Sequence, residues 1–547
     1  MEYSTKYRKW LEFDEEIRIE LLNIQDEKEI EDRFYKDLTF GTGGLRGIIG
    51  AGSNRINQYT VKKATLGLAN YIQSLNKEDE SVVIAYDTRN YSKEFAIAAA
   101  SVLCAKGIKV YIFEEVMPTP VLSFAVRHLQ ATAGIVITAS HNPKEYNGYK
   151  VYNQYGGQLV PDEANQVIRF IEEIKDFDSI PSVDTKELGV NDKLTWINEE
   201  VLTAFIEEVS KQSVNTKQLD NIKIVYTALH GAGNVPVRKA LDKFNVSVVK
   251  EQELPDGNFS TVRSPNPEER DALTLAINQA KEEKADVVIG TDPDCDRIGV
   301  AIKQGNKYEL LSGNQIGALL VDFVLAHKST NKKSTLIKTV VTNDLGADIA
   351  LNKGLNVLNT LTGFKYIGEK ITEFEQSQTN EFVIGYEESY GYLIGTHARD
   401  KDAVVSALLI CEMASMYKAK GLTLLDRLEE LYEEYGYYLD ALDSFVLKGK
   451  DGAERIQEIM SQLRAEKESF MPNTKEILDY DKGIDDLPKE NVLKFILADN
   501  SWIAVRPSGT EPKIKIYYSI KEVDREKAQL KLNRIRKIFE SLIGEKP

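Results

Sequence analysis

Ser140 stands in the stretch Thr138-Ala139-Ser140-His141-Asn142-Pro143, directly after the apolar run Gly134-Ile135-Val136-Ile137. Such a run reads as a buried strand, and Pro143 turns the chain out of helical geometry just beyond it. A hydroxyl at the end of a core strand is rigidly held yet exposed, as a nucleophile or a phosphate carrier must be. A polar cap between strand and loop is the plainer reading of a lone Ser-His pair. Tyr146-Asn147-Gly148-Tyr149-Lys150 follows at once.

Asp292-Pro293-Asp294-Cys295-Asp296-Arg297 separates Val287-Val288-Ile289 from Ile298-Gly299-Val300-Ala301. Carboxylates at alternate positions of an extended backbone point the same way and can converge on one hard cation. An EF-hand loop needs glycine at its sixth position and glutamate at its twelfth; Arg297 and Lys303 stand there and exclude it. A solvated acidic turn is the bland alternative, but three carboxylates crowded between apolar strands repel unless a cation or dense donors neutralise them. With three protein oxygens, magnesium would keep open positions for a phosphate oxygen.

Three further loops carry polar chemistry. Gly41-Thr42-Gly43-Gly44-Leu45-Arg46-Gly47 matches neither the dinucleotide pattern nor a P-loop, and on its own reads as a tight turn. Its backbone N–H groups and the planar Arg46 fork would nonetheless suit an anion. Arg506-Pro507-Ser508-Gly509-Thr510-Glu511-Pro512-Lys513 gathers arginine, two hydroxyls, a flexible glycine and lysine, the components of a phosphate cradle. Gly385-Tyr386-Glu387-Glu388-Ser389-Tyr390-Gly391 offers carboxylates and a hydroxyl suited to paired sugar hydroxyls, or forms a charged hairpin tip. Arg399-Asp400-Lys401-Asp402 follows; buried near other cations, Lys401 would fall in pKa enough to shuttle protons.

The elements that must position these loops share one grammar. Ser81–Ala85, Ile222–Tyr226 and Thr335–Ile337 each start a strand–loop–helix–strand unit, closed by Ile108–Ile112, Phe244–Val246 and Gly354–Val357. Three spaced units predict three α/β domains with mixed or parallel sheets. The tail differs: strands at Asn491–Ala498, Trp502–Arg506 and Ile514–Ile520, then an amphipathic helix from Asp524 to about Ile543, predict a smaller C-terminal α+β domain. The expected divisions are 1–210 with the serine loop, 211–311 with the acidic loop, 312–440 with the sugar loop, and 441–547 with the phosphate loop.

The 547 residues, 42% of them hydrophobic and 28% charged, suit a soluble multidomain protein. A formal net charge of −16 speaks against nucleic acid as a partner, and every apolar run is too short to span a membrane. Cys104, Cys295 and Cys411 are odd in number and far apart, as expected of reduced thiols in a cytoplasmic protein.

In this order, the clusters resemble those of the α-D-phosphohexomutase superfamily, and the Gly-Tyr-Glu-Glu-Ser-Tyr-Gly and Arg-Asp-Lys-Asp forms resemble its phosphoglucomutase and phosphopentomutase branch most. The likeness spans all four signature loops, from residue 41 to residue 513. It implies three similar α/β domains with mixed sheets plus the smaller tail domain around a central cleft. It further implies a phosphorylated Ser140, with Asp292, Asp294 and Asp296 holding magnesium that the serine phosphate completes. By the same resemblance Arg46 approaches the transferring phosphoryl, His141 supports the serine loop, and Lys150 and Lys401 are acid/base candidates. Glu387 and Ser389 would bind sugar hydroxyls; Arg506, Ser508, Gly509, Thr510 and Lys513 would grip the phosphate that is not transferred. Thr362-Gly363-Phe364-Lys365 loosely matches the superfamily's sugar-orienting loop. The expected reaction interconverts glucose 1-phosphate and glucose 6-phosphate through a phosphoserine enzyme and a bound glucose 1,6-bisphosphate, with Mg2+ and a sugar 1,6-bisphosphate primer. Ribose, deoxyribose or mannose phosphates are the alternative substrates. A sugar phosphatase and an inactive sugar-phosphate-binding protein are the readings from other classes.

Overall fold

A computed structural model describes residues 2–41, 43–184, 186–214, 222–447, 449–466, 470–484, 486–508 and 513–544. The chain forms two compact units, one of residues 1–313, 364–385 and 389–421, the other of residues 314–363, 386–388 and 422–547.

The first unit holds two mixed sheets. In the six-stranded sheet the order is Leu45–Ile48, Tyr146–Asn153, Ala133–Ile137, Ser81–Tyr86, Lys109–Phe113, Leu194–Ile197. Its last four strands are parallel, and Tyr146–Asn153 returns antiparallel to Ala133–Ile137. Ser81–Tyr86 and Ala133–Ile137 are buried at every position, as continuous apolar strands of a covered sheet should be. The five-stranded sheet runs Lys307–Leu310, Ile298–Gln304, Val287–Thr291, Lys223–Thr227, Asn245–Val248. Val287–Thr291 is parallel to Lys223–Thr227 and antiparallel to Ile298–Gln304. Ser140 and Asp292 therefore both lie just beyond the carboxyl ends of parallel strands, where α/β sheets bind ligands. The first two expected strand–helix–strand units are present, with helices Ser92–Ala105 and Asn234–Ala240.

In the second unit the third such unit pairs Ser334–Thr339 in parallel with Asn356–Thr360 around helix Leu345–Asn352. The tail sheet is wholly antiparallel, in the order Tyr437–Val446, Lys513–Glu522, Trp502–Pro507, Leu493–Leu497, Thr474–Asp479. Helices Gly449–Glu466 and Arg525–Ile543 bury Ile459, Leu463, Leu532 and Phe539 in the same core. Asp524 caps the last helix, its carboxylate accepting from Lys527 N at 2.8 Å. Two tail strands were not legible in the sequence. Tyr437–Val446 spans the boundary expected at 440 and pairs along its whole length with Lys513–Glu522. Thr474–Asp479 forms the edge of the sheet, where no strand was expected. Among the described residues no helix is long and apolar enough to cross a membrane. All three cysteines are free and buried.

Lys494, on strand Leu493–Leu497, is buried over the Trp502 ring, 3.9 Å from its centroid, and donates to Val340 O at 2.8 Å. Lys338, also buried, takes the neighbouring carboxylate, Asp344, at 2.8 Å. Burial, with Lys338 alongside, pulls the Lys494 ammonium down to about 7. In the unfolded chain a lysine titrates near ~10.4, so the unfolded state binds the extra proton between these values and stability rises with pH across them. The free energy of unfolding of the wild type, minus that of Lys494→Met, is therefore expected to grow by ~1–3 kcal/mol between pH 7 and pH 10. Denaturant titrations of both proteins at the two pH values check this, and a constant difference contradicts it.

Candidate active site

Beyond Ile137 the chain cannot continue as strand, because Ser140 takes a left-handed conformation with φ of 53°. Thr138 supports that turn, its Oγ1 accepting from Ser140 N at 2.8 Å. The Ser140 hydroxyl donates to Asp292 Oδ2 at 2.8 Å and lies 3.2 Å from His141 Nδ1. Ser140 is only 4% exposed, so the expectation of an exposed hydroxyl is corrected. The loop tucks it against the acidic turn instead of presenting it at the strand tip. Burial, then the Arg297 and Arg46 guanidinium groups, pull His141 well below its ordinary value, which leaves the imidazole neutral.

Asp292, Asp294 and Asp296 are buried, and their carboxylate oxygens lie within 4.8 Å of one another. They converge through a tight turn with Cys295 left-handed at φ 53°, not along an extended backbone as the spacing suggested. Asp292 Oδ1 accepts from the Asp296 and Arg297 amides at 3.1 and 3.0 Å. Asp294 Oδ1 and Asp296 Oδ1 are buried with no hydrogen-bond partner among the described residues. Burial pushes the Asp292 carboxyl up, and the Asp294 and Asp296 charges push it further. Burial works the same way on Asp294, but the Lys150 ammonium overrides it and holds Asp294 below its usual range.

Two lysines answer the acidic turn. Lys150 Nζ donates to Asp294 Oδ2 at 2.8 Å and lies 3.6 Å from Asp296 Oδ2. Burial pulls Lys150 down, yet Asp294 and Asp296 outweigh it and hold the ammonium above its ordinary value. Lys401 Nζ sits 3.2 Å from Asp296 Oδ2 and 3.1 Å from Asp400 Oδ1. Its ion-pair partners are thus carboxylates. Its stem passes over Gly391, where a Cβ would meet Lys401 Cδ at 2.1 Å. Arg46 is exposed, on the strand Leu45–Ile48 beside Tyr146–Tyr149, and its Nη1 donates to Asn142 Oδ1 at 3.2 Å. Gly44 makes that approach possible, since at φ 107° a Cβ there would meet Tyr149 O at 2.0 Å.

The structure thus brings Ser140, His141, Arg46, Lys150, Lys401 and the three aspartates together in the first unit, which also contains the half-buried Ser389. The other expected residues belong to the second unit. There Glu387, 5% exposed, accepts from Gly363 N at 2.9 Å, beside Thr362 with its buried Oγ1. Its neighbour Glu388 instead accepts from the Thr339 and Thr342 hydroxyls, both at 3.2 Å. Arg506, at the end of strand Trp502–Pro507, donates through Nε to Glu490 Oε1 at 2.8 Å. Ser508 N donates to Lys513 O at 2.7 Å. Gly509 and Thr510 lie outside the described residues.

Thr119 carries no local signal of its role: its amide donates to Asp294 O and its hydroxyl to Asp294 Oδ2, each at 2.9 Å. The two residues are 175 positions apart, so no local spacing could reveal the bond. Arg297, adjacent to the acidic triad, forms an ion pair with Glu268.

Residues 37–178, 203–305 and 312–435 match phosphoglucomutase/phosphomannomutase alpha/beta/alpha domains I, II and III, and residues 450–534 match the C-terminal domain. A phosphoglucomutase of Staphylococcus saprophyticus is 38% identical over 97% of this chain and 99% of its own. One of Staphylococcus haemolyticus is 40% identical over 90% of this chain and 91% of its own. Among solved structures, the open form of the Paramecium phosphoprotein parafusin, a phosphoglucomutase, aligns with a TM-score of 0.74 at 19% identity, over 93% of this chain and 95% of that one. That last likeness is one of fold.

Proposed function

The chain belongs to the phosphoglucomutase/phosphomannomutase family, and from that premise we propose that it interconverts glucose 1-phosphate and glucose 6-phosphate through a phosphorylated Ser140. The observation that carries this reading is the Ser140 hydroxyl held 2.8 Å from Asp292 at the edge of a buried acidic triad.

The donor set fits magnesium: three hard carboxylates, two of them with a buried oxygen that has no hydrogen-bond partner. Held by Asp292, Asp294 and Asp296, the ion would neutralise charge developing on the phosphoryl oxygens. The protein supplies the rest. A sugar hydroxyl oxygen forms a bond to the phosphorus carried on Ser140, the P–Oγ bond breaks, and Oγ keeps the electron pair. Lys150, kept protonated by Asp294 and Asp296, is suited to give the departing Oγ a proton. Lys401, also on Asp296, is the other acid/base candidate, and its neutral amine would receive the proton of the sugar hydroxyl. The resulting sugar bisphosphate then presents its other phosphate, and the same bonds form and break in reverse. Such transfer depends on positioning and charge neutralisation more than on covalent chemistry. A trace of glucose 1,6-bisphosphate would prime an unphosphorylated serine.

Glu387 and Ser389 are assigned to sugar hydroxyls, with Thr362 and Gly363 orienting the ring. Arg506, Ser508, Gly509, Thr510 and Lys513 are assigned to the phosphate that stays in place. Arg506→Ala is expected to raise KM about 10- to 100-fold with a smaller change in kcat, since a charged hydrogen-bonded contact contributes roughly 1.5–3 kcal/mol. Initial rates across a substrate titration check this, and an unchanged KM places the phosphate grip elsewhere. The proposed domains are 1–210, 211–311, 312–436 and 437–547, the last beginning with the strand Tyr437–Val446. Three buried, unpaired thiols suit a reducing cytoplasm.

The test is isomer interconversion with magnesium and bisphosphate primer, comparing the 1-phosphates of glucose, mannose, glucosamine and ribose by kcat/KM. Fastest turnover of glucose 1-phosphate supports the proposal. A ribose preference moves the substrate to pentoses, and phosphate release without interconversion makes the protein a phosphatase.

A further inference from the structure

The serine loop from Ser140 to Tyr146 leaves its strand in a left-handed turn and contains Pro143. Within the loop, Asn142 N bonds to Ala139 O and Tyr146 N to Pro143 O, both at 3.1 Å. One buried side chain gathers most of its carbonyls from outside. Arg89 lies in the loop after strand Ser81–Tyr86, and its guanidinium is wholly buried. Its Nη2 donates to Ser140 O and Asn142 O, and its Nη1 donates to Pro143 O at 2.9 Å and Tyr146 O at 3.0 Å. Four carbonyls, from the first residue of the loop to the last, thus converge on one planar cation. Of the other loop carbonyls, His141 O accepts from Ser264 Oγ at 3.2 Å and Glu145 O from Ile49 N at 2.8 Å.

Arg89 is itself fixed. Its Nε lies 3.3 Å from Asp87 Oδ2, and Asp87 Oδ1 accepts from Arg89 N at 2.9 Å and from Ser92 Oγ at 2.7 Å. The Asp87 amide bonds to Ile137 O at 3.0 Å, at the end of the strand that leads into the serine loop. The Phe259 ring covers the guanidinium, 5.1 Å from its centroid. Asp87 therefore ties the cation to the strand end, and Arg89 ties the loop to the cation.

We propose that Arg89 is a positioning residue for phosphoryl transfer, setting the direction of Ser140 Oγ by gathering the loop carbonyls to itself. The inference rests on the phosphoserine reading of Ser140. Two physical effects follow from the geometry. A guanidinium offers five donors in a rigid fork, which lysine, a point charge, cannot reproduce. Carbonyl oxygens turned toward Arg89 are also kept from facing the dianionic serine phosphate, which they would repel. Arg89 is wholly buried and donates to loop carbonyls, so its loss should slow transfer and leave substrate affinity nearly unchanged. An in-line displacement is sensitive to misplacement of about 1 Å, which costs on the order of 10²-fold.

The experiment compares wild type, Arg89→Lys and Asp87→Asn by initial rates over a glucose 1-phosphate titration, with 31P NMR of the enzyme-bound phosphate. For Arg89→Lys, kcat is expected to fall about 10²-fold with KM within threefold of wild type, and the phosphoserine resonance to broaden or split. Asp87→Asn should show the same division at about tenfold. A folded Arg89→Lys with kcat within threefold of wild type overturns the proposal, as does a fall in unfolding midpoint without any change in kcat. If Arg89→Lys does not fold, Asp87→Asn decides: a wild-type kcat overturns the proposal and the expected division supports it. Wild-type enzyme without interconversion in the same assay defeats the phosphoserine reading itself, and with it the basis of this one.

Discussion

Ser140→Ala is expected to lose interconversion by about 10⁴-fold or more, the scale seen when an enzyme's nucleophile is removed. The fold should survive. The substitution deletes two hydroxyl contacts, to Asp292 Oδ2 and His141 Nδ1, and leaves the Arg89 contacts to the loop carbonyls in place. Alanine must take the same left-handed φ of 53°, but serine already bears that strain in the native protein. The unfolding midpoint should therefore stay within a few degrees, about the shift that 1 kcal/mol produces. Initial rates and thermal unfolding of one preparation check both halves. Retained turnover in a homogeneous variant removes the phosphoserine mechanism.

The acidic triad makes a second demand, because its effects on activity and stability should oppose each other. Asp294 pairs with Lys150 and Asp296 with Lys401, whereas Asp292 meets a hydroxyl and backbone amides. It is the carboxylate whose charge is least compensated within the cluster. Asp292→Asn keeps Oδ1 to accept from the two amides, turns an NH2 donor toward Ser140 Oγ in place of Oδ2, and removes the charge. Without magnesium the variant should be as stable as wild type or more so, by up to ~1–3 kcal/mol, as buried charges replaced by neutral groups often are. With magnesium it should lack about 4 kcal/mol of transition-state stabilisation, roughly 10³-fold in kcat. Magnesium should also raise the wild-type unfolding midpoint and leave that of the variant unmoved. A variant that is less stable without metal, and still gains stability from it, contradicts the assignment of Asp292 as a ligand.

Much of this architecture could be read from local pattern. Buried runs such as Val82-Val83-Ile84 and Ile135-Val136-Ile137 declare their strands, and Asp524 marks the start of the last helix. The strand Tyr437–Val446 escaped notice because Asp440 and Asp443 interrupt its apolar pattern; Asp440 bonds to Asn343 and Asp443 to Arg536, partners far away in the chain. The candidate site shows the same division. Residue types at short spacing pointed to Ser140, the three aspartates and Arg506. The form of the acidic turn, the burial of Ser140 and the carboxylate partners of Lys401 depend on contacts between distant segments. Arg89 and Thr119 were invisible for that reason: each acts on residues more than fifty positions away, Arg89 on backbone carbonyls that carry no sequence signal.

The central claim is that phosphate resides on Ser140 and passes to sugar. The direct measurement is to incubate the enzyme with magnesium and glucose 1,6-bisphosphate, locate the bound phosphate by peptide mass spectrometry, and then chase with unlabelled glucose 1-phosphate. The account predicts one phosphate per chain, on the peptide containing Ser140, lost to the sugar at a rate no slower than turnover. Full turnover with Ser140 never phosphorylated, or with phosphate on another residue, would contradict it.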